Sequence, residues 1–299
     1  MILVTGANGV IGRAVLAQAR QLGIDVRGVA RQGPSGPEPG SIVCDLSTCL
    51  SLAHAVDQVP DGVVHLAAAV PHSPRYPDTE ASAAVTRRID ACVRDAVRQW
   101  KCHVVYASTC GLYDRRSDAV KLESSGEWIR VTSPYFAAKL DGERMFAESP
   151  GGCTVLRLPA PVGPGVPETL VVARFVSLAL AGETLSVWGS GRREQNFVDS
   201  GDLADAVLRA ARLAWSGIIN IAAASPVTML ELAHRTVAAL GSGQVGLSGL
   251  PDPLDGETAR FSTDRARAVL GWLPRTPLED SIRSLAASLP VSRGGAVSP

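Results

Sequence analysis

The chain has 299 residues, 46% of them apolar and 19% charged, and its 29 basic and 29 acidic side chains cancel to no formal net charge. That length suits one large domain or two modest ones, and the composition is that of an ordinary soluble globular protein. The even balance argues against a nucleic-acid binder or a binder of anionic membranes.

No apolar run approaches the roughly 20 residues of a membrane span. The opening "MILVTGANG" breaks to glycine too early for a secretory leader, so a cytoplasmic protein is expected. The six cysteines, Cys44, Cys49, Cys92, Cys102, Cys110 and Cys153, form no C-x-x-C pair and no histidine grouping at zinc spacing. They read as reduced thiols, mostly in the core, and no metal is expected.

In chain order, "MILVT" reads as a buried strand and a helix follows from about Val10. "VRGVA" and "GVVHLA" are the next strands. A helix through Thr79 to Gln99 leads to the strand "HVVYAS", a helix from Pro134 and the strand "CTVLRL". This βαβ alternation predicts an α/β fold, a doubly wound parallel sheet with helices on both faces. After Leu158 the proline- and glycine-rich "PAPVGPGVP" changes the texture. Beyond it strands become sparse and helices such as Met229 to Leu240 dominate. The expected organisation is a dinucleotide-binding domain over 1–158 and a smaller, mainly helical substrate-binding part over 159–289, with some strands returning to the sheet. A frayed tail over 290–299 completes it.

The loop from Thr5 through Gly6, Asn8, Gly9, Val10 and Ile11 to Gly12 joins the first strand to the first helix. Glycines there let the backbone turn tightly and approach a pyrophosphate, whose charge the helix N-terminus meets with free N–H groups. An acidic residue at the end of the second strand would bind a ribose diol and repel a 2′-phosphate. That place is held by Arg31, and no carboxylate occurs between Asp25 and Glu38. A guanidinium suits phosphate, so NADP(H) is preferred, with NAD(H) possible; a solvated surface arginine is the other reading.

"SPYFAAKLDGER" sets Tyr135 and Lys139 four residues apart on a helix, on one face. A nearby ammonium favours the phenolate and lowers the phenol from its usual value of about 10, which makes a usable acid or base near neutrality.

The T-G-x-x-G-x-x-G spacing of Thr5 to Gly12 resembles the short-chain dehydrogenase/reductase superfamily, in particular the extended branch of nucleotide-sugar epimerases, dehydratases and reductases, with its Rossmann-type fold. Further matches are Asp45-Leu46, "HLAA" at His65 to Ala68, the Tyr135/Lys139 pair, "LRL" before a Gly-Pro, and "LGW" at Leu270 to Trp272. The resemblance implies that Asp45 and Leu46 contact adenine and that Leu66, Ala67 and Ala68 line the cofactor. Thr109 falls at the family's Ser/Thr position, where it would hydrogen-bond the reacting oxygen while Tyr135 moves the proton. Ser108 is its nearby substitute. Lys139 would hold the nicotinamide ribose, and Tyr113 matches the tyrosine of the family's V-Y-G pattern.

Three departures bear on the reaction. Dehydratases of the family carry Asp-Glu after the threonine, because elimination needs an acid and a base; here stand Cys110 and Gly111. Ala160 replaces an asparagine that contacts the substrate's diphosphate, and Gln195 replaces an arginine. Arg192 and Arg193 lie close enough in sequence to compensate, and a solvated surface role is equally compatible. His72 and Ser73 are further candidates for the substrate cavity, while His65 reads as packing beside the cofactor. Asp199 and Asp202 read as the charged start of a helix.

Together with these residues, the resemblance implies an NADPH-dependent ketoreductase of a nucleotide-linked 4-keto-deoxysugar or similar ketone. The alternatives are a 4-epimerase that uses the same residues and a non-catalytic NADP-binding sensor. The expected partner is a small-molecule substrate, with no nucleic acid and no membrane, and the expected assembly is a homodimer.

Overall fold

The computed structural model describes residues 1–31, 40–71, 77–124 and 126–289. The first half builds β1 (Ile2–Thr5), α1 (Val10–Gln21), β2 (Val26–Ala30), β3 (Ile42–Val43), α2 (Leu52–Ala55), β4 (Gly62–His65), α3 (Glu80–Trp100), β5 (His103–Thr109), α4 (Pro134–Ala147) and β6 (Cys153–Leu158). Then come β7 (Ala160–Val162), α5 (Val171–Leu180), β8 (Thr184–Val187), β9 (Glu194–Gln195), β10 (Phe197–Asp199), α6 (Ser200–Leu213) and β11 (Gly217–Asn220). The last are β12 (Val227–Thr228), α7 (Met229–Leu240), β13 (Gln244–Leu247), α8 (Asp264–Leu270) and α9 (Leu278–Ser288).

Seven strands form one parallel sheet in the order β11-β6-β5-β4-β1-β2-β3. The order reverses beside β1, which opens a crevice at the C-terminal strand ends, where ligands of such folds bind. Both faces are covered. Val4, Val64, Val105 and Leu156 pack with α1 and α6, whereas Leu3, Val63, Val104 and Val155 pack with α3 and α4. Strand alternation gives each strand these two sides.

Two helices near the site have a local cause. Thr79 caps α3 by accepting from the Ser82 amide, and its buried stripe runs Ser82, Thr86, Ile89/Asp90, Val93, Ala96/Val97, the spacing of one helical face. Ser133 caps α4 from the Phe136 amide, with Pro134 in the first turn.

Beyond β6 the structure departs from the expectation of few strands. Seven short strands of two to four residues pair mostly two by two, and only β11 joins the main sheet. Such short pieces carry too little alternation to be read from sequence. A separate apolar cluster there joins α5, α7 and α9 around Phe175, Leu185, Leu232 and Ile282. "LGW" locks this part to the sheet: Trp272 is buried, and its Nε1 donates to the Asp202 carbonyl at 3.0 Å. The Asp202 carboxylate accepts from the Arg275 and Thr276 amides, both at 2.8 Å. Asp199 caps α6 through the Gly201 amide. Among the described residues no helix is long and apolar enough to cross a membrane. The segment 290–299 lies outside the described residues.

Candidate active site

The glycine-rich loop lies at the crevice. Gly6 has φ +69°, and a Cβ on it would lie 2.7 Å from the Ala67 nitrogen and 2.8 Å from the Leu66 carbonyl carbon, so the loop presses on the backbone of "HLAA". A Cβ on Gly12 would meet the Gly6 carbonyl at 2.3 Å. Gly9 caps α1 without any side-chain bond, and no acid stands in the first turn, which leaves the N-terminal amides of α1 open to an anion. This cradle fits a dinucleotide pyrophosphate.

Asn8 Nδ2 donates to the Arg31 carbonyl at 3.4 Å, so the loop holds the end of β2 where the guanidinium begins. Asp45 accepts from the Ser47 amide at 3.0 Å and its hydroxyl at 2.6 Å, closing a turn, and Leu46 is buried in the core beneath. Leu66, Ala67 and Ala68 are half-buried at the end of β4. Val10 and Ile11 are likewise half-buried in the first turn of α1. Thr5 is fully buried and turns inward, with its Oγ1 2.7 Å from His65 Nδ1.

Thr109 ends β5. Its Oγ1 accepts from the Gly111 amide at 3.0 Å, capping the tight turn Cys110–Leu112, and this leaves the hydroxyl hydrogen to donate. Alternation sends Ser108 to the other side of the strand. Ser108 is buried, and its hydroxyl donates to Glu143. The structure therefore does not place Ser108 beside Thr109. It also withdraws Tyr113, whose hydroxyl donates to Asn220 Oδ1 at 2.7 Å and accepts from Arg157 Nη1 at 2.8 Å. Burial pushes the Tyr113 phenol up to about 12.

Cys110 is buried, donates to the Arg157 carbonyl at 3.2 Å, and is pushed up by burial, so it is an inert thiol. At Gly111 a Cβ would stand 2.5 Å from Cε1 and Cζ of Phe136. The Phe136 ring thus fills the space where a side chain at 111 would begin.

Tyr135 and Lys139 both lie on α4, Tyr135 half-buried and Lys139 buried. Burial, reinforced by Asp90 and Asp78, holds the Tyr135 phenol above its usual range. This corrects the expectation that Lys139 lowers it: the Lys139 ammonium lies 4.1 Å from the centre of the Tyr106 ring instead. Burial lowers Lys139, while Asp90 and Glu143 oppose the shift.

Arg193 Nε lies 2.8 Å from Asp252 Oδ2, an ion pair of poor hydrogen-bond alignment, and exposed Arg192 bonds Ser190 Oγ at 3.1 Å. Arg193 is thus paired with an acid, whereas the bond of Arg192 is to a neutral hydroxyl. The altered positions adjoin: the Ala160 amide donates to the Asn196 carbonyl at 3.1 Å, and Gln195 precedes Asn196. His72 and Ser73 lie outside the described residues. No group of three or more metal-binding side chains occurs among the described residues.

A family model matches residues 2–222, nearly three quarters of the chain. The chain belongs to the NAD-dependent epimerase/dehydratase family, a family of enzymes. Known proteins resemble this chain to different extents. A dTDP-4-dehydro-6-deoxy-D-allose reductase from a Streptomyces species is 34% identical over 208 residues, 64% of this chain and 62% of that protein. A dTDP-6-deoxy-L-talose 4-dehydrogenase (NAD(P)(+)) from Kitasatospora kifunensis is 27% identical over 304 residues, 95% and 94% of the two chains. The matching stretch spans only about a third of the curated UDP-glucuronic acid decarboxylases, 33% of one from Arabidopsis thaliana at 31% identity. The solved structure of MoeE5 with UDP-glucuronic acid and NAD has a TM-score of 0.81 at 26% identity, covering 96% of this chain and 98% of that one.

Several neighbours of the site escaped the sequence reading: Asp90, Tyr106, Phe136, Gly142, Glu143 and Arg157. One signal was available for Asp90. It falls on the buried stripe of α3, where an acid has no place without a partner.

Proposed function

We propose that this protein is an NAD(P)H-dependent ketoreductase acting on a nucleotide-linked 4-keto-deoxysugar or a similar ketone, through Thr109, Tyr135 and Lys139. The observation that carries the reading is the wall after Thr109, where Cys110 is buried and Phe136 fills the space at Gly111. Elimination of water needs a carboxylic acid and a base at that place, and neither residue supplies one. Beyond the hydride that a bound NAD(P)H would supply, reduction needs only a proton and a hydrogen-bond donor to the oxygen.

NAD(P)H held at the N-terminus of α1 would supply the hydride. Thr109 donates its hydroxyl hydrogen to the carbonyl oxygen, and Tyr135 passes its phenolic proton to that oxygen as negative charge develops. Because burial raises the Tyr135 phenol, it stays protonated near neutral pH. That state serves reduction, whereas an epimerase must first remove a proton from an alcohol with the same residue. Lys139 steadies the nicotinamide ribose. Arg31 sets the preference for NADP(H), with the guanidinium beside a 2′-phosphate.

The two relatives acting at C4 of dTDP-sugars support this substrate class. Residues 1–158 form the dinucleotide-binding domain in this reading, and 159–289 hold the substrate. The test is NADPH oxidation followed by absorbance with a nucleotide-linked 4-keto-deoxysugar and, in parallel, with a ketone lacking the diphosphate. Consumption with either supports the reductase; no consumption, with a tightly retained dinucleotide in the purified protein, supports an epimerase.

A further inference from the structure

A carboxylate, an imidazole and a phenol are buried together beneath Lys139, and the reaction described above uses none of them. Thr5, His65 and Tyr106 stand side by side on β1, β4 and β5, in register across the sheet. Asp90 reaches this row from α3. His65 Nε2 lies 2.9 Å from Asp90 Oδ1, and the Tyr106 hydroxyl donates to Asp90 Oδ2 at 3.0 Å.

The direction of each bond follows from what the groups can do. A carboxylate only accepts, so His65 Nε2 carries a hydrogen. Burial lowers His65 and keeps it neutral, so Nδ1 accepts from the Thr5 hydroxyl. The Thr5 oxygen in turn accepts from the Ala67 amide at 3.3 Å. One ladder thus runs from the backbone that presses on the glycine-rich loop to the ring on which the Lys139 ammonium rests, 4.1 Å from its centre.

Gly142 shows that this arrangement is built into α4. Glycine inside a helix costs about 1 kcal/mol against alanine. A Cβ at Gly142, however, would lie 2.0 Å from the Tyr106 hydroxyl oxygen and 2.8 Å from Asp90 Oδ2. Only glycine lets α4 pass over the phenol and the carboxylate while presenting Lys139 one turn earlier.

We propose that Asp90 is a positioning residue for the Tyr135–Lys139 pair: it fixes the Tyr106 ring under the lysine, supplies the buried ammonium with a counter-charge, and ties both to the cofactor loop through His65 and Thr5. The inference rests on the site proposed above. Among the described residues, the charged and titratable groups that bear on Lys139 are Asp90 from α3, Glu143 from α4, Tyr106 from β5 and His65 from β4. Asp90 is the carboxylate with the greater pull on the lysine. Glu143 is already paired with Arg157 at 2.7 Å.

The experiment is an NADPH fluorescence titration, without substrate, from about pH 6 to 10, a range that spans the fall of a buried lysine. Wild type should lose affinity on the alkaline side as Lys139 gives up its proton. In Asp90→Asn that loss should move to lower pH by about one unit, because the counter-charge is gone. An Asp90→Asn variant with wild-type affinity and wild-type pH dependence overturns the proposal while leaving the site reading standing. If Asp90→Asn does not accumulate as folded protein, Tyr106→Phe carries the test: it removes one of the two donors to Asp90, and a several-fold weaker NADPH affinity is expected. Unchanged affinity overturns the proposal. A shift seen in a protein that reduces no ketone would uphold Asp90 and fail the reductase reading alone.

Discussion

Replacing Gly142 with alanine sets two opposing effects against each other. On propensity alone, alanine inside a helix should stabilise by about 1 kcal/mol. Here the new Cβ would sit 2.0 Å from the Tyr106 hydroxyl oxygen and 2.5 Å from Cζ, so the ring must retreat by well over an ångström to reach ordinary contact. The 3.0 Å bond to Asp90 cannot survive that displacement. Overpacking costs about 1–3 kcal/mol, and an unpaired buried polar group a further 1–3 kcal/mol or so. Less the propensity gain, the net is a destabilisation of about 3 kcal/mol. Gly62→Ala is the control, because its Cβ would meet nothing closer than the His103 carbonyl at 3.4 Å. Equilibrium denaturant unfolding compares the three proteins. Gly142→Ala as stable as wild type would refute the packing argument and, with it, the ladder beneath Lys139.

Tyr135→Phe should lower turnover by about 10²–10⁴-fold with NADPH affinity near normal, since only the phenolic proton is lost; Lys139→Ala should damage both, and steady-state kinetics with binding titrations separate the two. The alkaline limb of wild-type turnover should fall below the ordinary lysine value of about 10.4, because burial lowers Lys139 and raises Tyr135 above its own usual range. Arg31→Asp should reverse the preference between NADPH and NADH in competitive titration; an unchanged preference removes Arg31 from the phosphate site. Glu143→Gln leaves the buried Arg157 without its bidentate partner at 2.9 and 2.7 Å and should cost about 3–5 kcal/mol in the same unfolding assay.

The glycine-rich loop, the strands β1, β2, β4, β5 and β6 and the shared helix of Tyr135 and Lys139 were legible because each is a local pattern: glycine spacing, a run of β-branched residues, a four-residue interval; the order of those strands across the sheet was not. Ser108 was misplaced although the signal was present. Alternation along β5 sets it with Tyr106 and opposite Thr109. The seven short strands beyond β6 were not legible, since pairs of two to four residues are specified by partners distant in sequence. The same limit hid the fate of Arg193, whose partner Asp252 lies 59 positions along the chain. It also hid the bearing of Lys139, for no local pattern indicates that a carboxylate from α3 and a phenol from β5 converge beneath it.

The most direct measurement is the mass balance of the reaction itself. A nucleotide-linked 4-keto-deoxysugar incubated with the protein and NADPH should consume the cofactor one for one and yield a product heavier by two hydrogens. A product lighter by one water, formed with no net consumption of NADPH, would contradict the account, and a product of unchanged mass would show an epimerase in its place.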